Sequence, residues 1–117
     1  MMTKEAVEQI WNTYLEAYGN VSAEERRRLL QESVSVDVVS TNPGEETLGF
    51  ESLLAHVEQF QQRFPGAHFK IDKLLFHHKQ VLTEWTLFKS DDTPLRTAHT
   101  YGHFDDQGRL KKLIGFF

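Results

Sequence analysis

The sequence contains no cysteine, which excludes a disulfide framework, a thiolate nucleophile and a cysteine-held metal, and agrees with a reducing interior. It also lacks any apolar run of the length needed to cross a membrane. Its opening stretch, MMTKEAVEQIWNTYLEAY, is interrupted by charge every few residues, unlike the apolar centre of a secretion signal, so a cytoplasmic location is expected. Basic charge is in deficit: 13 Lys and Arg stand against 17 Asp and Glu, a net charge of -4 that repels polyphosphate unless cations gather on one face. The one tight basic cluster, Arg26 to Arg28, lies between Glu24-Glu25 and Glu32 at helical spacing and reads as a solvated helix face. Neither nucleic acid nor a membrane is expected as a partner.

What is present is enough for one core. The 117 residues fit a single domain, 1–117, and 39% hydrophobic content with nine Phe, three Tyr and two Trp excludes a disordered chain. From Thr3 to Tyr18, Val7, Ile10, Trp11, Tyr14, Leu15 and Tyr18 recur at helical spacing, and Gly19-Asn20 stops the run. Ser22 with Glu25 has capping-box spacing and opens a shorter helix through Leu29 and Leu30. Residues 33 to 40, SVSVDVVS, predict a strand that ends at Asn42-Pro43-Gly44. A third helix is predicted from Gly49 to Phe64, with Phe50, Leu53, Leu54, Val57, Phe60 and Phe64 on its buried stripe.

The remainder predicts four strands, AHFKIDKLLF, VLTEWTLF, LRTAHTYGHF and RLKKLIGFF, joined by polar turns at 77–80, 91–94 and 105–108. Connections this short favour antiparallel neighbours, so the expected fold class is α+β, with an antiparallel sheet covered by helices on one face. Period-two alternation groups Val81, Thr83, Trp85 and Leu87 on one side, and Ala98, Thr100, Gly102 and Phe104 together on one side of the next strand. The small residues in the second set predict empty volume.

The order helix, helix, strand, helix, four long strands resembles the nuclear transport factor 2-like superfamily, in its SnoaL-like polyketide cyclase and ketosteroid isomerase branch. The resemblance rests on the helix carrying Tyr14, on NPGEETLGFESLLAHVEQFQQRFPG, on VLTEWTL with Trp85 and on the closing HFDDQGRLKKLIGFF. It implies a cystatin-like cone: a strongly bent antiparallel sheet wraps the first and third helices and leaves a blind apolar cavity for a small ring compound. The isomerase-type site of such proteins places a Tyr on the first helix, which Tyr14 matches. A carboxylate at the end of the first strand falls here at Ser40 or Asn42, and an acid on the penultimate strand falls at Thr100. Neither carboxylate is present, so the usual steroid isomerisation, which needs a base near neutrality, is not expected.

Tyr14 has two readings: a core ring, or a hydroxyl donor to a ligand carbonyl beside Thr100. His56, bordering the stripe of the third helix, is a candidate acid or base because its ordinary pKa suits proton transfer near pH 7. Tyr14, His56 and Thr100 are thus the candidate catalytic set. Trp11, Tyr18, Ser40, Asn42, Phe60, Thr83, Trp85 and Phe104 are candidate ligand-lining residues. Asp37 points away from its apolar neighbours and reads as a solvated carboxylate. No metal or cofactor is expected: His99 and His103 lie four residues apart on a strand, about 13 Å at roughly 3.3 Å per residue, whereas zinc bonds are about 2 Å long.

The function expected from these residues is a cavity that binds a small, largely apolar molecule, with isomerisation, cyclisation or hydration as the chemistry it would suit. The alternative is a non-catalytic ligand-binding or protein-interaction module of the same fold. If the Trp85 face meets the helices, Leu82, Phe88, Tyr101, Leu110, Ile114 and Phe116 project outward, and a homodimer through that open face is expected.

Overall fold

The computed structural model describes residues 2–117. Helix α1 spans Lys4–Ala17; Thr3 caps it by accepting the Ala6 N–H at 3.1 Å, and Val7, Trp11, Tyr14 and Ala17 form its buried stripe. Helix α2 spans Ala23–Ser33 and is capped by Ser22, whose hydroxyl accepts from the Glu25 N–H. Strand β1 follows directly as Val34–Asn42, so Ser33 closes the helix rather than opening the strand. Its hydroxyl donates back to the Leu29 carbonyl at 2.8 Å, a local bond that satisfies a short polar side chain inside a helix.

A short strand not expected from the sequence, β2 (Glu45–Leu48), folds back on β1 through the Pro43-Gly44 turn. Helix α3 covers Phe50–Arg63, starting at Gly49, whose φ of 88° suits glycine. Strands β3 (His68–His77), β4 (Gln80–Phe88), β5 (Pro94–Phe104) and β6 (Leu110–Phe116) complete the chain. The β3–β4 loop is only His78-Lys79, both at positive φ, the two-residue hairpin turn whose twist matches its strands.

The six strands form one curved, unclosed sheet in the order β2-β1-β6-β5-β4-β3. It is not wholly antiparallel: β1 runs parallel to β6, with Ser40 opposite Leu113. A return through α3 and three further strands lets β1 pair with a strand running the same way, which hairpin reasoning does not foresee. Register shifts interrupt β1/β6, β3/β4, β4/β5 and β5/β6, and such bulges bend a sheet.

The concave face carries the predicted Val81, Thr83 and Trp85 set, all buried, and Val81 joins one core cluster with the stripes of α1 and α3. The outer face is exposed at Leu75 (53%), Leu82 (42%) and Phe116 (60%). Leu110, expected outside, is fully buried, because the irregularity between His103 and Phe104 turns the start of β6 inward. The basic cluster also divides. Arg27 pairs with Glu51, and Arg28 with Glu25 and Glu32, at the surface, but Arg26 is only 7% exposed. Its guanidinium donates to the carbonyls of Ala17 at 2.9 Å, Gly19 at 2.8 Å and Val21 at 3.3 Å, closing the end of α1. Among the described residues no helix is long and apolar enough to cross a membrane.

Candidate functional site

Residues paired across a sheet share a face, so the register maps the lining of the cone. Toward the narrow end, Ser40, Leu113, Gly102 and Val81 form one transverse row. The next row toward the mouth contains Asn42, opposite Glu45 on β2, then Gly115, Thr100 and Thr83. Beyond it come Ala98 and Trp85, then Arg96 and Leu87, with Ile71 and Phe69 on β3.

The narrow row has no free volume at its centre. A methyl added to Gly102 would lie 3.0 Å from Val81 Cγ1, 3.1 Å from Leu110 Cδ2 and 3.2 Å from the Trp11 ring. The space expected at Gly102 is therefore filled by Trp11 and Leu110. Three residues expected to line a cavity are buried in and around this row. Trp11 is 1% exposed, and its indole N–H is buried without a partner. Thr83 and Phe104 have no exposed surface, Thr83 donating to the Thr100 carbonyl and Phe104 packing on Phe76. Alternation puts Thr83 and Phe104 on the concave face and helical spacing puts Trp11 on the buried stripe of α1, but tertiary packing decides whether such a residue is core.

Toward the other end of the concave face the polar and aromatic groups converge. Tyr14 and Tyr18, one turn apart on the stripe of α1 and at its end, share a hydrogen bond of 2.8 Å between hydroxyls. The Tyr18 ring stands edge-on to Phe60, Phe69 and His56 at centroid distances of 5.5, 5.4 and 6.4 Å. Trp85 meets Phe69 at 5.0 Å, and its indole N–H donates to Thr100 Oγ1 at 2.8 Å. Burial raises the Tyr14 hydroxyl well above its ordinary pKa. It also pushes Tyr18 up to about 12, against the pull of its bond to Tyr14 and with help from the negative charge of Glu45. Both phenols remain protonated near neutrality. The pair holds two protons and spends one on its mutual bond, so one O–H is left to donate.

The residue that sequence reasoning missed is Glu45. The Pro43-Gly44 turn brings it opposite Asn42, and its carboxylate lies 2.8 Å from His56 Nδ1. A carboxylate only accepts, so the shared proton sits on Nδ1, and in the neutral tautomer that this bond selects Nε2 is the acceptor. The signal was available in the sequence: a strand ending at Asn42-Pro43-Gly44 implies a hairpin, and a two-residue turn puts residues 42 and 45 side by side. Ser40 and Asn42 lie on the concave face as expected, but both are engaged locally. The Ser40 carbonyl accepts from the Thr47 hydroxyl, and the Asn42 side chain accepts from the Gly44 N–H. Asp37 is exposed and accepts from Ser35. His99 pairs with Glu84 on the outer face, and His77 with His78 in the hairpin.

A three-helix layer inside a curved six-stranded sheet defines the class: the cystatin-like, nuclear transport factor 2-like α+β fold. Solved structures give that class particular relatives. A SnoaL-like family protein from Agrobacterium tumefaciens, proposed to be an isomerase, superposes with a TM-score of 0.88 at 23% identity, over 96% of this chain and 97% of that one. A protein of unknown function with a cystatin-like fold from Methylobium petroleophilum superposes at 0.78, with 18% identity over 98% of this chain and 77% of that one. A de novo designed protein with a curved β-sheet reaches 0.76 at 13% identity, over 98% and 87%. No family model and no curated protein matches the sequence. At these identities the likeness establishes the fold alone, and one fold hosts many sites.

Proposed function

We propose that the chain binds a small, largely apolar molecule at the mouth of the cone and that His56, held by Glu45, moves a proton on it. The observation that carries this reading is the 2.8 Å Glu45–His56 contact, set against a pair of buried tyrosine hydroxyls. Glu45 fixes the imidazole tautomer and stabilises the imidazolium that forms on proton uptake. The remaining phenolic proton of the Tyr14–Tyr18 pair and the hydroxyl of Thr100 are donors suited to the oxygen that becomes an enolate. Trp85, Phe60 and Phe69 supply the apolar walls. Proton abstraction beside a carbonyl is the step shared by isomerisation and many cyclisations, and the carboxylates missing from β1 and β5 are replaced here by a carboxylate–imidazole pair from β2 and α3.

The test is exchange of the α-hydrogens of 2-tetralone into D2O, followed by proton NMR. Wild-type protein should accelerate exchange, His56→Gln should lose on the order of 100-fold, and Glu45→Gln about tenfold. Exchange at the buffer rate, or equal rates in wild type and His56→Gln, overturns the catalytic reading. A second reading, a non-catalytic binding module, is favoured by the way the mouth already satisfies itself: Trp85 with Thr100, Tyr14 with Tyr18. Retention of small molecules in native mass spectrometry without any exchange would support it.

We further propose that the outer sheet face is a self-association surface. Leu75, Leu82, Tyr101 and Ile114 are register partners in one row across four strands, an apolar line of the kind that calls for a cover.

A further inference from the structure

Among the lysines and arginines that have a register partner in the sheet, one lies on the concave face. Lys70, Lys73 and Lys112 are opposite Thr86, Glu84 and His103, all on the outer face. Arg96 is opposite Leu87, in the row just outside Trp85 and Ala98, and so stands on the inner side at the rim of the mouth. Its guanidinium lies 5.8 Å from the centre of the Phe117 ring, which in turn meets Trp85 at 6.1 Å and packs on Gly115. Among the described residues Arg96 joins none of the seven ion pairs and makes no side-chain hydrogen bond, although acidic residues outnumber basic ones. An aromatic face holds the guanidinium in place while leaving its N–H fork unspent.

We propose that Arg96 is the anion-recognition residue of this mouth, so that the molecule bound there is a carboxylic acid on a fused-ring body. The inference rests on the mouth of the cone being the ligand site. Its geometry sets the length of the ligand. Arg96 and Thr100 lie four residues apart on one strand, about 13 Å at roughly 3.3 Å per residue. Two fused rings with a hydrogen-bonded group at each end span a distance of that order, lying over Trp85 between them. A planar fork facing a carboxylate forms two parallel charge-assisted bonds, so Arg96 would fix the orientation of the ligand as well as add affinity. The opposite end of the ring system then meets Thr100 and the Tyr14–Tyr18 pair, on the side where Glu45 would repel a second negative charge.

The experiment is calorimetric titration with 2-naphthoate and with methyl 2-naphthoate, which keeps the rings and removes the charge, on wild type and Arg96→Gln. Arg96 is exposed, and circular dichroism will verify that the variant is folded. Wild type should bind the acid roughly five- to tenfold tighter than the ester, a modest factor because the group is exposed. In Arg96→Gln the acid should fall to the affinity of the ester, while the ester is unchanged. Equal binding of acid and ester by wild type overturns the proposal, as does a preference for the acid that survives in Arg96→Gln, or an equal loss for both probes. If wild type binds neither probe, the mouth is not a site for such ring compounds, and both this inference and the reading beneath it fail.

Discussion

A buried phenol keeps its proton because its anion would lose the water that stabilises it. At the residue scale this makes Tyr14 and Tyr18 a measurable pair. Their folded pKa values lie above the ordinary 10, Tyr18 at about 12, so the native state holds protons that the unfolded chain releases. The sign follows: this contribution to stability is complete below pH 10 and is lost as the pH rises through the folded values. In spectrophotometric titration, wild type and the Tyr14→Phe/Tyr18→Phe variant should show equal phenolate absorbance between about pH 10 and 11 while folded. An excess of two tyrosines in wild type would mean that water reaches the pair. The hydroxyl contact also means that Tyr14→Phe strands a partner, and it should cost about 1 kcal/mol of stability. That the two share a helix face was legible from their spacing of four. That their hydroxyls meet was not, because spacing places side chains without fixing rotamers.

The end of α1 illustrates the scale of the element. Its last turn contains no basic residue, and Arg26, reaching across from α2, instead covers the last carbonyl, on Ala17, and those of Gly19 and Val21 in the connection beyond. A buried guanidinium on three carbonyls at the negative end of a helix acts through charge-assisted bonds and the helix dipole. Arg26→Ala should lower unfolding stability in urea by roughly 2–3 kcal/mol, while Arg27→Ala and Arg28→Ala should leave the midpoint nearly unmoved. A midpoint unmoved in Arg26→Ala would return that residue to the solvated surface. The charge pattern of RRR between glutamates correctly indicated a helix, but it treats three neighbours alike when only one faces the adjoining helix. Strand β2 escaped notice for a related reason. Glu45-Glu46-Thr47-Leu48 has little intrinsic strand character, and pairing with β1 is what makes it a strand.

At the scale of the whole molecule the proposed self-association turns on the open sheet face. Leu82 lies mid-row between Leu75 and Tyr101, whereas Phe88 is already stacked by His68 at 5.6 Å and has Lys70 above its ring at 5.2 Å. Leu82→Lys is therefore the sharper probe. Light scattering at micromolar concentration should give a dimer for wild type and a monomer for Leu82→Lys. A monomeric wild type, or a dimer indifferent to the charge, would remove this face as an interface.

The sequence by itself determined the helices, five of the six strands apart from their end residues and the division of β4 and β5 into faces, because periodicity is a property of the local backbone and survives without knowledge of neighbours. Ser22 announced the start of α2 by its own chemistry. Tertiary structure alone decided depth. Trp11 shares a stripe with Tyr14, and Thr83 and Phe104 share faces with Trp85 and Thr100, yet packing from neighbouring elements encloses the first three. It also decided partners. Glu45 acquired His56 through a hairpin and a helix start, Arg26 acquired the end of α1, and β1 came to lie parallel to β6. Each of these depends on how far apart in sequence two groups are when they meet, and no local pattern encodes that distance.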